Sequence, residues 1–173
     1  MKDFKTFVNE NLLVPRNLEG RKEKLKQINI KLLSQEVIDG NLDLDESFMD
    51  IDPKFVKLKK VNVSVYLTGN QWTEIPEWLK NVEIEGDFSC ARNKLTTLKN
   101  CPQNIGGYFN CTFNKLTSLY GCPENIEGDF YCCGNLLTSL EGCAKNIGGD
   151  LYCLGNKVKL ELPDYVKLKG KKR

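Results

Sequence analysis

Histidine is absent from all 173 residues of the chain. Histidine is the commonest general base in enzymes, the usual partner of a catalytic serine or cysteine, and the commonest metal ligand. Its absence excludes most hydrolytic mechanisms, and we predict no catalytic residue, no metal site and no cofactor. The sequence therefore indicates a binding or structural role.

Long apolar runs are missing as well. No run approaches the roughly 18 residues that a membrane-spanning helix needs, and the N-terminal residues lack the continuous apolar core of a secretory signal. We therefore expect a cytoplasmic protein without a membrane partner, with the interior of a virion as the alternative location. The composition, 40% apolar and 28% charged, suits one compact domain.

The central part of the chain is not basic, although the net charge of the whole sequence is +2. Residues 61–158 carry a net charge of −3, whereas residues 159–173 carry +4. Because phosphate recognition needs a basic face, we do not expect nucleic-acid binding by the central part of the chain. It stays open only for a basic tail from Lys167 to Arg173, which more simply serves as a solubilising terminus.

A 21-residue repeat dominates the rest of the sequence. Its cysteines are Cys90, Cys111, Cys132 and Cys153, its asparagines are Asn93, Asn114, Asn135 and Asn156, and its large apolar residues are Phe88, Phe109, Phe130 and Leu151. The same frame extends back to Ile38 and Val61 with two residues inserted per unit, so we predict six coils.

Each unit combines two patterns. Apolar residues alternate in Ile-x-Gly-x-Phe-x-Cys, which is typical of a half-buried strand. The following asparagine predicts a turn, Leu-Thr-Ser-Leu adds two aliphatic side chains to the same core, and Gly-Cys-Pro returns the chain along the opposite side. A single coil buries too little apolar surface to be stable alone, so the coils must stack into a solenoid with paired parallel strands.

The Phe-x-Cys-x-x-Asn-x-Leu-Thr-Ser-Leu segments over residues 84–158 resemble leucine-rich repeats of the short bacterial and phage type, whose pattern is Leu-x-Leu-x-x-Asn-x-Leu. The match weakens earlier, where Ser47 replaces the asparagine and Trp72 the following leucine. The resemblance implies an α+β solenoid with one parallel β-sheet of six to seven short strands, a helical N-terminal cap and an irregular convex side. It also implies a phage-encoded binding scaffold rather than an enzyme.

Three segments follow from this frame. We predict a helical N-terminal cap at 1–37, the leucine-rich repeat solenoid at 38–158, and a closing edge strand with the basic tail at 159–173. In the cap, Asn17 is a candidate N-cap residue. The apolar stripe of the cap helix consists of Leu25, Ile28, Leu32 and Leu33. The alternative is a free amphipathic helix that binds a partner.

Residues 1–10 form a short amphipathic stretch of their own. They are similar to the head-targeting peptides of internal capsid proteins in large tailed phages, which are cleaved after a glutamate, here Glu10. An internal or structural virion protein targeted by this peptide is therefore the alternative function.

Seven of the eight cysteines lie on two ladders of the repeat, where a free cysteine packs as a small apolar residue. Without histidine or a C-x-x-C pair, the familiar zinc spacings are missing. Disulfides between neighbouring coils stay open as an alternative, because strands about 4.8 Å apart fall within the Cα range of a disulfide. Soft-metal binding is a further alternative. Cys133 breaks the ladder and is predicted to face outward.

The predicted binding surface consists of the side chains that alternate with the buried ones on the concave sheet. We predict that these residues bind a protein partner: Tyr66, Asp87, Arg92, Tyr108, Asn110, Phe113, Asp129, Tyr131, Asp150 and Tyr152. Tyrosine buries a large area at low entropy cost, and aspartate beside it selects a partner with a basic segment. The alternative is that exposed strand positions simply favour these residues. We expect no small-molecule substrate.

Overall fold

The structure is a computed structural model that describes residues 18–44, 48, 51–157, 159 and 161–173. Helix α1 spans Leu18–Leu33, and two 3₁₀ turns span Pro53–Phe55 and Glu77–Asn81. The predictions for residues 1–10 and for the Asn17 cap lie outside the described residues.

Two-residue strands make up the rest of the regular structure. They are β1 Val37–Ile38, β2 Leu42–Asp43, β3 Lys60–Val61, β4 Val65–Tyr66, β5 Glu83–Ile84, β6 Phe88–Ser89, β7 Asn104–Ile105, β8 Phe109–Asn110, β9 Asn125–Ile126, β10 Phe130–Tyr131, β11 Asn146–Ile147, β12 Leu151–Tyr152 and β13 Lys167–Leu168. Every strand pairing between them is parallel.

The strands form a solenoid of about six turns, as the repeat predicts. Phe109 pairs with Phe130, its equivalent 21 residues later, whereas Val65 pairs with Phe88 in the earlier coils, where the interval is 23 residues. Matching residues of successive coils therefore lie side by side. The prediction of stacked parallel coils is confirmed.

The prediction of a single sheet is wrong, because each coil contributes to two sheets. The first sheet has seven strands in the order β1-β3-β5-β7-β9-β11-β13, and the second has six in the order β2-β4-β6-β8-β10-β12. The chain bends between the two strands of a coil, at the x-Gly-x segment. Gly86 lies at one such bend, where a Cβ atom would clash with the carbonyl oxygen of Val63 in the preceding coil. Close backbone contact at the corner thus splits the predicted strand, and the described part of the chain is a β-solenoid with one helix.

The core lies between the two sheets. The rings of Phe88, Phe109 and Phe130 are fully buried and stack parallel, with centroids 5.7 Å and 5.2 Å apart. Ile105 and its equivalents face the same core from the first sheet, and Trp72 occupies the inward place of the missing leucine. From helix α1, Leu33 joins this cluster.

An asparagine ladder holds the turns that follow the second sheet. The Oδ1 atom of Asn114 accepts a hydrogen bond from the backbone N–H of Leu95, at 3.0 Å. Its Nδ2 atom donates to the carbonyl oxygens of Cys90 and Cys111, at 3.0 Å and 3.1 Å. Asn93, Asn135 and Asn156 repeat this arrangement. The ladder connects each coil to its neighbour where no strand pairing exists.

The basic residues at the end of the chain belong to a last partial coil rather than to a separate tail. Strand β13 pairs with β11, and Lys172 forms a parallel bridge with Leu151. The backbone N–H of Arg173 donates to the carbonyl oxygen of Leu151 at 2.7 Å. Both sheets therefore continue through these residues.

Candidate functional site

The candidate site is the outer face of the second sheet. Phe109 and Phe130 point inward and are fully buried, whereas Tyr131 and Tyr152 beside them are half-buried and reach the surface. The inside and outside of these strands are therefore as the alternation predicts. Two positions per coil define the face: the residue before the buried Phe, here called the first column, and the residue after it, the second column.

Three tyrosines in successive coils, Tyr108, Tyr131 and Tyr152, form a continuous row, and Tyr66 lies on the same face two coils before Tyr108; these four residues are here called the tyrosine face. The rings of Tyr131 and Tyr152 stack with centroids 4.6 Å apart, as parallel strands in register require. Tyr108 belongs to the first column, and its ring meets the Tyr131 ring edge-on at 5.9 Å. The coil between Tyr66 and Tyr108 carries Asp87 and Ser89 at the two outward positions.

The phenol groups of Tyr108 and Tyr131 stay protonated at neutral pH. Burial, followed by the nearby Tyr66 and Asp87, raises the pKa of Tyr108 to about 12. The hydrogen bond to Asp129 is the main cause that raises the pKa of Tyr131 to about 12. These two residues thus offer neutral aromatic rings with hydroxyl groups rather than phenolate ions.

The aspartates of the first column hold the backbone of the next coil. The Oδ1 atom of Asp87 accepts the backbone N–H of Tyr108 at 2.9 Å, and that of Asp129 accepts the N–H of Asp150 at 2.7 Å. Ser64 and Asn41 do the same at the start of the column. Sequence reasoning missed this role, although Asn, Ser and Asp are the residues that cap backbone amides with a side-chain oxygen.

The hydrogen bonding of the Oδ2 atom differs from one first-column aspartate to the next. Oδ2 of Asp129 accepts the Tyr131 hydroxyl at 2.8 Å, and Oδ2 of Asp150 accepts the Nε–H of Arg173 at 2.6 Å. The hydrogen bond from the Lys171 backbone N–H is the main cause that lowers the pKa of the Asp150 carboxyl, and the hydrogen bond from Arg173 is the second cause. Among the described residues, the second oxygen of Asp87 accepts no hydrogen bond.

Arg173 is a member of this site that sequence reasoning missed. Its guanidinium lies 5.8 Å from the centroid of the Tyr152 ring and forms an ion pair with Asp150. The signal was available, because residue 173 continues the second column from Tyr131 and Tyr152 at the same 21-residue interval.

Arg92 and Phe113 form a separate pair at the turn that follows the second sheet. Both have positive φ angles, 56° and 55°, at a position where the coils after them carry Gly134 and Gly155. The Arg92 guanidinium lies 5.1 Å from the Phe113 ring, which is 55% exposed and covers Gly134. Left-handed backbone costs a non-glycine residue about 1–2 kcal/mol, so this exposed pair is a strained feature.

Asn110, the remaining predicted residue, forms hydrogen bonds within its own turn. Its Oδ1 atom accepts hydrogen bonds from the backbone N–H and the hydroxyl of Thr112, at 3.0 Å and 2.8 Å. The structure therefore brings the tyrosines and aspartates together, places Arg92 and Phe113 beside each other at an edge, and occupies Asn110 locally.

All eight cysteines are free thiols, and seven of them are buried. Burial raises the pKa of Cys90 and Cys143 to about 12, so these thiols are poor nucleophiles. Cys133 is half-buried, as the broken ladder predicts. Within the described part of the chain, no group of three or more Cys, Asp or Glu side chains is arranged to hold a metal ion.

Comparisons with known protein families, with curated proteins and with solved structures found no match to this chain. The fold itself defines a repeat protein, a solenoid of stacked parallel-strand coils. Helix α1 is neither long nor apolar enough to cross a membrane, and the described residues include no other helix that could.

Proposed function

We propose that this protein is a non-catalytic protein-interaction module that binds a partner with a basic segment through the tyrosine face. The single observation that carries the proposal is the row of three contacting tyrosine rings on the outside of a sheet, Tyr108, Tyr131 and Tyr152, two of them stacked at 4.6 Å. Partly exposed, rigidly held tyrosines are typical interface anchors because they lose little entropy on binding.

The size of the face suggests that a partner also touches its edge. The face is six strands wide, with about 4.8 Å between strands, and four residues long, with a rise of about 3.3 Å per residue. Its flat area is therefore roughly 400 Å², which is below the usual buried area of about 800 Å² per partner. The exposed Arg92 and Phe113 pair is the natural extension. Its strain is consistent with a residue pair retained for binding rather than for stability.

We further propose that the chain is a leucine-rich repeat protein of the short phage type that acts in the host cytoplasm. The repeat pattern over residues 84–158 supports this assignment. The asparagine ladder, in which Asn114 bonds the backbone of two coils, supports it as well.

Affinity capture from a bacterial lysate tests the interaction. We expect the double variant Tyr131→Ala with Tyr152→Ala to recover at least about tenfold less of the partner than the natural protein, measured by quantitative mass spectrometry. Tyr120→Ala is the matched control, because Tyr120 is 66% exposed and lies outside the second sheet. Equal recovery by the double variant and the natural protein would contradict the proposal.

A further inference from the structure

We infer that the partner presents an arginine side chain, and that this arginine binds over Tyr66 between Asp43 and Asp87, in the N-terminal half of the tyrosine face. The inference rests on the proposed function, because it names the chemistry by which the same face recognises its partner.

The structure contains an internal example of this recognition. The Arg173 guanidinium lies against the Tyr152 ring, 5.8 Å from its centroid, and its Nε–H donates to Asp150 at 2.6 Å. A planar guanidinium can stack on a ring and donate to a carboxylate at the same time, which a lysine ammonium group cannot do equally well. The face thus already binds one arginine, which belongs to its own chain.

The C-terminal half of the face has no capacity for a second arginine. Asp129 is engaged by the Tyr131 hydroxyl and Asp150 by Arg173. The neighbouring Lys171 and Lys172 add positive charge at the same end. An arginine of the partner is therefore attracted to the opposite half, and the Tyr131 and Tyr152 rings remain for uncharged residues of the same partner.

The N-terminal half offers a ring and two carboxylates. Asp43 is exposed and is the register partner of Tyr66 in the adjoining strand. Asp87 directly precedes strand β6 on the other side, and its carbonyl oxygen accepts the backbone N–H of Val65. Its Oδ1 atom accepts the Tyr108 N–H, and its Oδ2 atom accepts no hydrogen bond within the described structure. Parallel strands about 4.8 Å apart and an offset of two residues, about 3.3 Å each, place Asp87 about 8 Å diagonally from Tyr66.

Titration with defined peptides tests the inference. The probes are three blocked peptides in which glycine alternates with arginine, with lysine, or with citrulline, the neutral analogue of arginine. We expect the arginine peptide to shift the backbone amide NMR signals of residues 65–67 and 87–89. We also expect it to bind at least about tenfold more tightly than the citrulline peptide and more tightly than the lysine peptide.

The matched variants change charge but not shape. Asp43→Asn with Asp87→Asn should weaken arginine-peptide binding about tenfold, while the Asn oxygen at position 87 still accepts the Tyr108 N–H. Glu74→Gln with Asp164→Asn removes the same charge at two exposed residues outside the tyrosine face and should leave the affinity within about twofold. If the first double variant does not fold, Asp43→Asn alone provides the test, because this exposed side chain makes no hydrogen bond within the described structure.

Four results would overturn the inference: equal affinity for the arginine and citrulline peptides, signal changes confined to Tyr131 and Tyr152, unchanged affinity in the Asp43 and Asp87 variant, or self-association of the free protein through this face in sedimentation. Failure of the proposed function looks different. In that case the alanine variant of Tyr131 and Tyr152 captures as much partner as the natural protein, whatever the peptides show.

Discussion

Single polar side chains connect the coils of this solenoid at two places. Asn114 and its equivalents bond the backbone at the turns, and Asp87 and its equivalents bond the backbone amides along the first column. Both sets satisfy buried or half-buried backbone groups that strand pairing does not reach. Their identity is fixed by hydrogen-bond capacity: the amide of asparagine donates and accepts, whereas a carboxylate only accepts.

Asn114 is a direct test at this scale. We expect Asn114→Ala to lower the free energy of unfolding by about 2–4 kcal/mol, because the buried Leu95 N–H loses its acceptor and the Cys90 carbonyl keeps only the bond from Asn93. Urea denaturation measures the change. Lys115→Ala, at the next and exposed residue, should change stability by less than about 0.5 kcal/mol. A similar small effect for Asn114→Ala would show that the ladder is not required for stability.

Each strand is only two residues long because every coil turns a corner between the two sheets. At Gly86 the backbone of the preceding coil lies so close that a Cβ atom has no room, whereas the second coil carries Val63 at the same position. The first coil carries Gly40 there, which no other coil of the described structure precedes and where a Cβ atom would meet nothing within 4 Å. From the third coil onward the corner therefore needs glycine for stacking rather than for its own conformation.

These two glycines make a matched pair of variants. We expect Gly86→Ala to destabilise the protein by about 1–3 kcal/mol, because the new methyl group overlaps the Val63 carbonyl. Gly40→Ala should be neutral or stabilising by about 0.4–1 kcal/mol, since it only restricts the unfolded chain. Thermal unfolding of both variants measures the difference. Equal effects would show that corner packing does not limit the choice of residue.

At the scale of the whole molecule, the core consists of aromatic rings from one sheet, aliphatic side chains from the other and seven buried thiols. The thiols that follow the buried Phe continue a ladder that begins with Leu44 and Leu67 in the first two coils. Burial raises the pKa of Cys90, Cys101, Cys111, Cys122, Cys132 and Cys143 above the usual value of 9.0. The fold therefore keeps protons on these groups that the unfolded chain releases at alkaline pH.

This difference predicts a loss of stability as the pH rises. Above about pH 9 the unfolded state binds fewer protons than the folded state, so unfolding becomes more favourable by about 1.4 kcal/mol per buried thiol and pH unit. The stabilisation is fully present below the unfolded pKa. Urea midpoints measured from pH 7.5 to 10.5 test this, and Cys122→Ala should reduce the slope by the share of one thiol. A flat profile would contradict the prediction.

The binding surface shows how far single residues could be predicted. Tyr131 and Tyr152 face outward because strict alternation with Phe130 and Leu151 leaves no other direction. The partners of Asp129 and Asp150 could not be foreseen, since each depends on which side chains of the adjacent coil lie within hydrogen-bonding distance. Arg173 was interpreted as part of a tail because charge runs at chain ends usually are.

The sequence by itself determined the period of the coil, the inward Phe and Cys ladders and the places of the asparagines, because a repeating pattern of side chains must repeat in space when coils stack. Only the tertiary structure decided that each coil feeds two sheets and that Arg173 closes onto Asp150. Both depend on the distance between neighbouring backbones, which is about 4.8 Å in a sheet and leaves no room for a Cβ atom at the Gly86 corner. That distance is a property of stacked coils, and no single repeat contains it.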